Sequence, residues 1–190
     1  MSKPKLLVVI ASTRPGRAGR PIGDWFTNVA REHGGFEVEE VDLAELNLPL
    51  MDEPNHPRFR NYTKDHTKAW SALVDAADAF VFVTPEYNHS FPASLKNAVD
   101  YLNHEWRYKG LGFVSYGGIA GGTRSVQSFK AVASILMMFV PQNLVNIAWV
   151  HSKLKDGVFV EDEDVRTAAN AMLDELLQLD TGLSVLRRGS

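Results

Sequence analysis

The sequence predicts an α/β fold: a five-stranded parallel sheet in the order 2-1-3-4-5, with helices on both faces in three layers. Three observations predict it. Apolar runs at 5–11 and 79–84, and a fourth strand at 110–116, read as strands of a sheet buried on both faces. Helical patterns alternate with the strands, which calls for parallel crossovers. No repeat, low-complexity tract or long linker divides the 190 residues, so a single domain over 1–190 is expected.

In chain order, the first strand, 5–11, runs Lys-Leu-Leu-Val-Val-Ile-Ala. A basic, glycine-containing loop, 12–20, leads to a helix over 21–33. Pro21 would open that helix at its first position, where a missing N–H costs nothing. Trp25, Phe26, Val29 and Ala30 form its apolar face, and Gly34-Gly35 stops it. The second strand is 36–41. Residues 43–62, with Pro49, Pro54 and Pro57, read as an irregular loop over an edge of the domain. A helix over 63–77 buries Ala69, Trp70, Leu73 and Val74. The third strand, 79–84, enters a turn, and a helix follows over 90–104. The fourth strand is 110–116, then a glycine turn and a helix over 123–139. The fifth strand is 143–150, and 158–160 can add a short one. A last helix spans 161–179, its N-terminus acidic as the helix dipole prefers. A flexible tail is expected from about 183 to 190.

Bulk properties narrow the function. The net charge of −3 offers no field for nucleic acid and no polybasic membrane patch. The absence of cysteine excludes disulfides, thiolate catalysis and cysteine-ligated metals. No signal-type segment or membrane-length apolar stretch is found, so a cytoplasmic protein is expected. No Gly-x-Ser-x-Gly elbow is present. The six histidines, at 33, 56, 66, 89, 104 and 151, lack metal-ligand spacing. His89 faces either a pocket or solvent.

Three loops would share one sheet edge in this topology. The first is Ser12-Thr13-Arg14-Pro15-Gly16-Arg17-Ala18-Gly19-Arg20. Hydroxyls and guanidiniums before a helix N-terminus suit a phosphate, and beyond Pro21 the amides of Ile22 and Gly23 are the next expected donors. The alternative is a solvated basic loop. A mononucleotide with one terminal phosphate fits better than a triphosphate or dinucleotide, because neither Gly-Lys-Ser/Thr nor Gly-x-Gly-x-x-Gly occurs. The second is Pro85-Glu86-Tyr87-Asn88-His89-Ser90-Phe91-Pro92, where a plain connector would carry Asn-Gly or Asp-Gly. Pro85, Tyr87 and Phe91 can wall a planar heterocycle, and the amides of Glu86 to Asn88 can meet its polar edge. Alternatively, Asn88 and Ser90 cap the next helix while Phe91 and Pro92 staple it. The third, Ser115-Tyr116-Gly117-Gly118, lets a ligand approach the backbone closely.

These motifs, together with Pro92-Ala93-Ser94-Leu95-Lys96-Asn97-Ala98-Val99-Asp100, resemble the signatures of the NADPH-dependent FMN reductase family, flavodoxin-like quinone, azo-dye and chromate reductases. The resemblance covers about residues 5–150. It implies a flavodoxin-like sandwich holding non-covalent FMN. The segment 12–22, with Ser12, Arg14, Arg17, Gly19, Arg20 and Ile22, would hold its phosphate. Pro85, Glu86, Tyr87 and Asn88, with Ser115, Tyr116, Gly117 and Gly118, would flank its isoalloxazine. Many members begin the first loop with Gly-Ser, where this chain has Ala11-Ser12. Many also carry serine and asparagine where it has Arg17 and Gly19. Homodimers or homotetramers are implied, with the helix after the second loop facing a partner.

The implied activity is hydride transfer from NADPH or NADH through FMN to a small-molecule acceptor: a quinone, azo compound, free flavin or metal oxyanion. The cofactor carries that chemistry, so no catalytic side chain is assigned. Tyr87 and Tyr116 either shape the acceptor pocket or merely pack. The alternatives are a non-catalytic electron carrier, which would be more acidic, and a flavin-binding sensor module. Lys96 and Asp100, four apart, form an intrahelical pair or serve an interface or the flavin. Leu136, Met137, Met138 and Phe139 are core or a dimer patch.

Overall fold

The computed structural model describes residues 3–188; residues 1–2 and 189–190 lie outside it. Strand β1 (Lys5–Ile10) lies between β2 (Glu37–Asp42) and β3 (Ala79–Pro85), and β4 (Lys109–Tyr116) pairs with β3. The far edge is made by β5 (Met138–Phe139) and β6 (Val145–Ile147), and every pairing is parallel. The order is the expected 2-1-3-4-5. The chain leaves β1 for β2 and returns to β3, so the topological switch point lies between β1 and β3.

Side-chain alternation along the strands builds two cores. Leu6, Val8, Ala79, Val81, Val83, Val114 and Tyr116 face α1 (Gly19–His33) and α6 (Glu163–Arg188). Leu7, Val9, Phe80, Phe82, Leu111 and Phe113 face α3 (Asp65–Ala76), α4 (Ala93–Asp100) and α5 (Thr123–Ile135). On this second face Phe82 meets Phe113, Phe129 and Trp106 edge-on, with ring centroids 6.0, 5.5 and 6.1 Å away.

Several boundaries differ from expectation. Helix α1 begins at Gly19, which places Pro21 third rather than first. The amides ahead of the first intrahelical bond, which Ile22 makes, have no intrahelical acceptor, so proline is tolerated at position 21 too. The expected fifth strand is split: β5 pairs with the start of β4 and β6 with its end. Pro141 lies in the gap and can donate no ladder bond. Helix α5 ends at Ile135, and Met137, at φ 56°, turns the chain into β5. Leu136 and Met138 enter the core while Met137 and Phe139 are exposed, so the quartet divides between both readings. The expected short strand is one arm of a hairpin, β7 (Leu154–Lys155) with β8 (Val158–Phe159).

Within the expected flexible tail, residues 183–188 are helical, and 189–190 lie outside the described residues. Leu183 is buried, and Arg187 donates to Tyr108 O at 2.8 Å and Asp78 at 3.1 Å. Residues 43–62 contain α2 (Leu43–Leu46), capped by the Asp42 carboxylate, and residues 49–52 lie against α4 and Tyr101. Asn97 accepts from Met51 N and donates to Pro49 O, and Tyr101 bonds Pro49 O and Asp52. Lys96 and Asp100 pair within α4 at 2.6 Å. Among the described residues no helix is long and apolar enough to cross a membrane.

Candidate functional site

A parallel sheet sends the loops after β1, β3, β4 and β6 out at its carboxyl edge, beside the switch point. There they enclose a cleft of about 240 Å³. Ser12, Arg14, Gly16, Arg17 and Ala18 form one wall, Pro85 to Tyr87 the second and Tyr116 to Gly118 the third. Val150 and His151, which follow β6, complete the lining. Sequence reasoning missed these two, although the expected fifth strand ends at the same edge. His89 is exposed and outside the lining, so the cleft's histidine is His151.

The first wall is built by a turn and a helix start. Pro15 and left-handed Gly16, φ 69°, form a β-turn closed by Arg17 N donating to Arg14 O at 3.1 Å. The amides of Gly19 and Arg20 stand ahead of the first intrahelical bond, from Ile22 N to Ala18 O. The donors expected at Ile22 and Gly23 therefore move to Gly19 and Arg20. Ile22 is fully buried in the core, its amide engaged. Arg14 is exposed beside the cleft. Arg17 reaches Asp42 at 2.5 Å, while its Nε is buried without a partner. Arg20 is absent from the lining and bound to Asp24, Glu40 and Asp42. Its hydrogen bond to Asp24, against some desolvation and with help from Glu40, holds its pKa well above the usual arginine value.

The second wall is a tight hairpin turn. Tyr87 and Ser90 exchange backbone bonds of 2.8 and 3.0 Å across Asn88 and His89, both left-handed at φ 49° and 66°. This is the type I′ geometry usually taken by Asn-Gly. Asn88 and Ser90 therefore do not cap α4, which starts at Ala93 after Pro92 with no side-chain cap. Asn88 lies outside the lining, and Phe91 packs on Phe129 at 5.1 Å instead of walling the cleft. The amides of Glu86 and Tyr87 are engaged by Tyr116 O and Ser90 O, so they do not face a ligand as expected. Tyr87 Oη bonds Ser12 Oγ at 2.7 Å, joining the first two walls.

Glu86 joins the second wall to the third. Its carboxylate accepts from Arg124 Nε at 2.6 Å and Arg124 N at 3.2 Å, at the start of α5. Burial opposes ionisation, but these bonds outweigh it and hold the carboxyl below its usual range. In the third wall Ser115 turns into the protein, donating to Gly121 O at 2.8 Å and meeting Asn146 at 2.9 Å. Gly122, at φ 84°, packs so tightly that a Cβ there would lie 2.6 Å from Tyr116 N. Gly118 faces open space. Tyr116 is buried, and its hydroxyl has no hydrogen-bond partner.

The cleft thus has a donor-rich end, made by the α1 N-terminus, Ser12 and Arg17, and an end of Pro85, Tyr87, Gly117 and Gly118. Residues 4–151 match the family model described as NADPH-dependent FMN reductase. A NAD(P)H-dependent FMN reductase of Schizosaccharomyces pombe is 42% identical over 157 residues, 82% of this chain and 78% of the relative. An FMN-dependent NADPH-azoreductase of Staphylococcus haemolyticus is 27% identical, over 91% of this chain and 93% of the relative. The solved flavoenzyme NAD(P)H:(acceptor) oxidoreductase of Paracoccus denitrificans superposes with TM-score 0.73 at 18% identity, covering 94% of this chain and 98% of its own.

Proposed function

Because the chain belongs to the NADPH-dependent FMN reductase family, and so is an FMN-dependent oxidoreductase served by NADPH or NADH, we propose that the three-loop cleft is its non-covalent FMN site. One observation carries this reading: a phosphate-type helix N-terminus and an open, flat-walled recess meet in one cleft at the switch point of the sheet. Ser12, Arg14 and the amides of Gly19 and Arg20 would hold the phosphate. Pro85, Tyr87, Gly117 and Gly118 would border the ring.

The residues present fit such a group, since buried donors at one end of the cleft lack an acceptor. FMN bound here supplies the two-electron chemistry, taking a hydride and delivering reducing equivalents. The chain's own residues orient. Tyr87 is braced by Ser12, so its ring keeps a set angle at the cleft wall. Glu86 and Arg124 lock the turn against α5 and fix the spacing of the second and third walls. Gly118 leaves space where a side chain would intrude on an incoming nicotinamide or acceptor.

The acceptor we propose is a small, flat, electron-poor molecule such as a quinone or azo compound, with free flavin and metal oxyanions as further candidates. An open recess that shares one face between donor and acceptor favours alternate binding of the two. The chain also assembles as a homodimer or homotetramer. Supporting this, the segment lying over α4 exposes Leu50 at 82% and Phe59 at 66%, apolar side chains of the kind that mark interfaces.

Anaerobic mixing of FMN-loaded protein with NADPH or NADH should bleach the flavin band. Admitting a quinone or an azo dye should then restore it within the turnover time. A band that neither nucleotide bleaches would overturn the assignment.

A further inference from the structure

Tyr116 is the last residue of β4 and shares its parity with Val114, so its side chain points to the α1 face of the sheet. The consequence is geometric. A Cβ on Gly19, the first residue of α1, would lie 2.6 Å from Tyr116 Oη, so the phenol occupies the space a side chain at 19 would take. The residue is 4% exposed, and no group meets its hydroxyl in good hydrogen-bond geometry; the Ser12 hydroxyl beside it is engaged by Tyr87. Burial, and then Tyr87, hold its pKa far above the usual phenol range, with Ser12 and Arg17 only partly opposing. The group is therefore a protonated donor.

Arg17 Nε is a second buried donor without a partner, although Asp42 holds the other end of the guanidinium. Among the described residues four buried side-chain polar atoms lack partners, and these two belong to residues lining the same cleft. The others, on Thr67 and Ser125, belong to residues outside its lining. Buried donors left unpaired are costly and call for a reason. Two of them, beside a helix N-terminus that itself favours anions, lack only an anionic oxygen.

We infer that Tyr116 Oη and Arg17 Nε donate to the terminal phosphate of the bound cofactor, so that the chain discriminates FMN from riboflavin partly through a tyrosine of the sheet. Tyr116 then belongs to the phosphate end of the site and not to the ring or acceptor end. The inference rests on the cleft being the FMN site.

The test is titration of the cofactor-free protein with FMN and with riboflavin, followed by flavin fluorescence and calorimetry. Wild-type protein should bind FMN more tightly than riboflavin. Tyr116→Phe should weaken FMN roughly 10- to 100-fold, the value of a hydrogen bond to a charged group, and leave riboflavin affinity unchanged. Arg17→Lys keeps a cation for Asp42 but removes the Nε donor, and should act in the same selective way. A simple packing role for Tyr116 would weaken both ligands equally. That outcome, or FMN affinity unmoved in both variants, overturns the inference while leaving the cleft assignment standing. Wild-type protein that binds neither ligand overturns the cleft assignment itself.

Discussion

His89 sits at φ 66°, in the left-handed region that a Cβ disfavours and glycine enters freely. In a type I′ turn both central residues need positive φ; Asn88 meets this at modest cost, whereas histidine pays for its Cβ. His89→Gly should therefore stabilise the protein by about 0.5–1 kcal/mol, measured as a shift of the urea midpoint with unchanged slope. FMN affinity should not change, because His89 lies outside the cleft lining. A destabilised variant would show that its backbone at 89 is not strained. At the same scale Glu86, Ser115 and Arg20 do scaffold work: each was a candidate ligand contact by sequence position, and each spends its side chain on the protein. Loop position predicts which residues gather at an edge. It does not predict which way each side chain turns.

At the scale of elements, one carboxylate binds the residues that lead into α3, beside the Asp52–His66 and Arg60–Asp75 pairs that also tie segment 43–62 to that helix. Glu53 accepts from Thr63 N at 2.9 and 3.1 Å, from Thr63 Oγ1 at 3.0 Å and from Lys64 N at 2.9 Å. Some burial works against ionisation, but these donors prevail and draw its pKa down to about 2. The sign follows from the lowered value. The contribution is fully present above the unfolded carboxyl pKa, about 4.3, and is lost as pH falls from there toward about 2. Glu53→Gln should lower the urea midpoint at pH 7 and speed amide exchange in residues 49–64. The difference from wild type should shrink steadily below pH 4. A difference that stays constant to pH 2 would mean the carboxylate is not what holds the segment. This tether bears on the cleft because the same segment covers α4, the helix that leaves the cleft's second wall.

At the scale of the molecule, the expected assembly and the observed surface bear on each other. Lys96 and Asp100 satisfy each other within α4, while Leu50, Met51 and Phe59 stand exposed on the segment crossing it. Light scattering on the FMN-loaded protein after size exclusion should give the mass of two or four chains. Leu50→Asp combined with Phe59→Asp should reduce it toward one chain. A wild-type monomer at micromolar concentration would refute the assembly.

The order of elements, the parallel sheet and the meeting of three loops at one edge were legible in the sequence. Each depends on local pattern: unbroken apolar runs, helical periodicity, and the specific Pro85-Glu86-Tyr87-Asn88 and Ser12-Thr13-Arg14 motifs. Boundaries that depend on tertiary contacts were not. Pro141 divides the last strand only because β4 can pair on either side of it. Residues 183–188 stay helical because Arg187 finds Tyr108 and Asp78, far away in sequence. The same holds inside the site. Sequence placed Tyr116 at the right edge, but strand parity sent its side chain to the α1 face, toward Gly19. The sequence by itself determined the fold class and the cofactor chemistry, because both are written in local motifs. Only the tertiary structure decided which end of the cleft each residue faces, because that depends on which face of the sheet a side chain leaves and what it meets there.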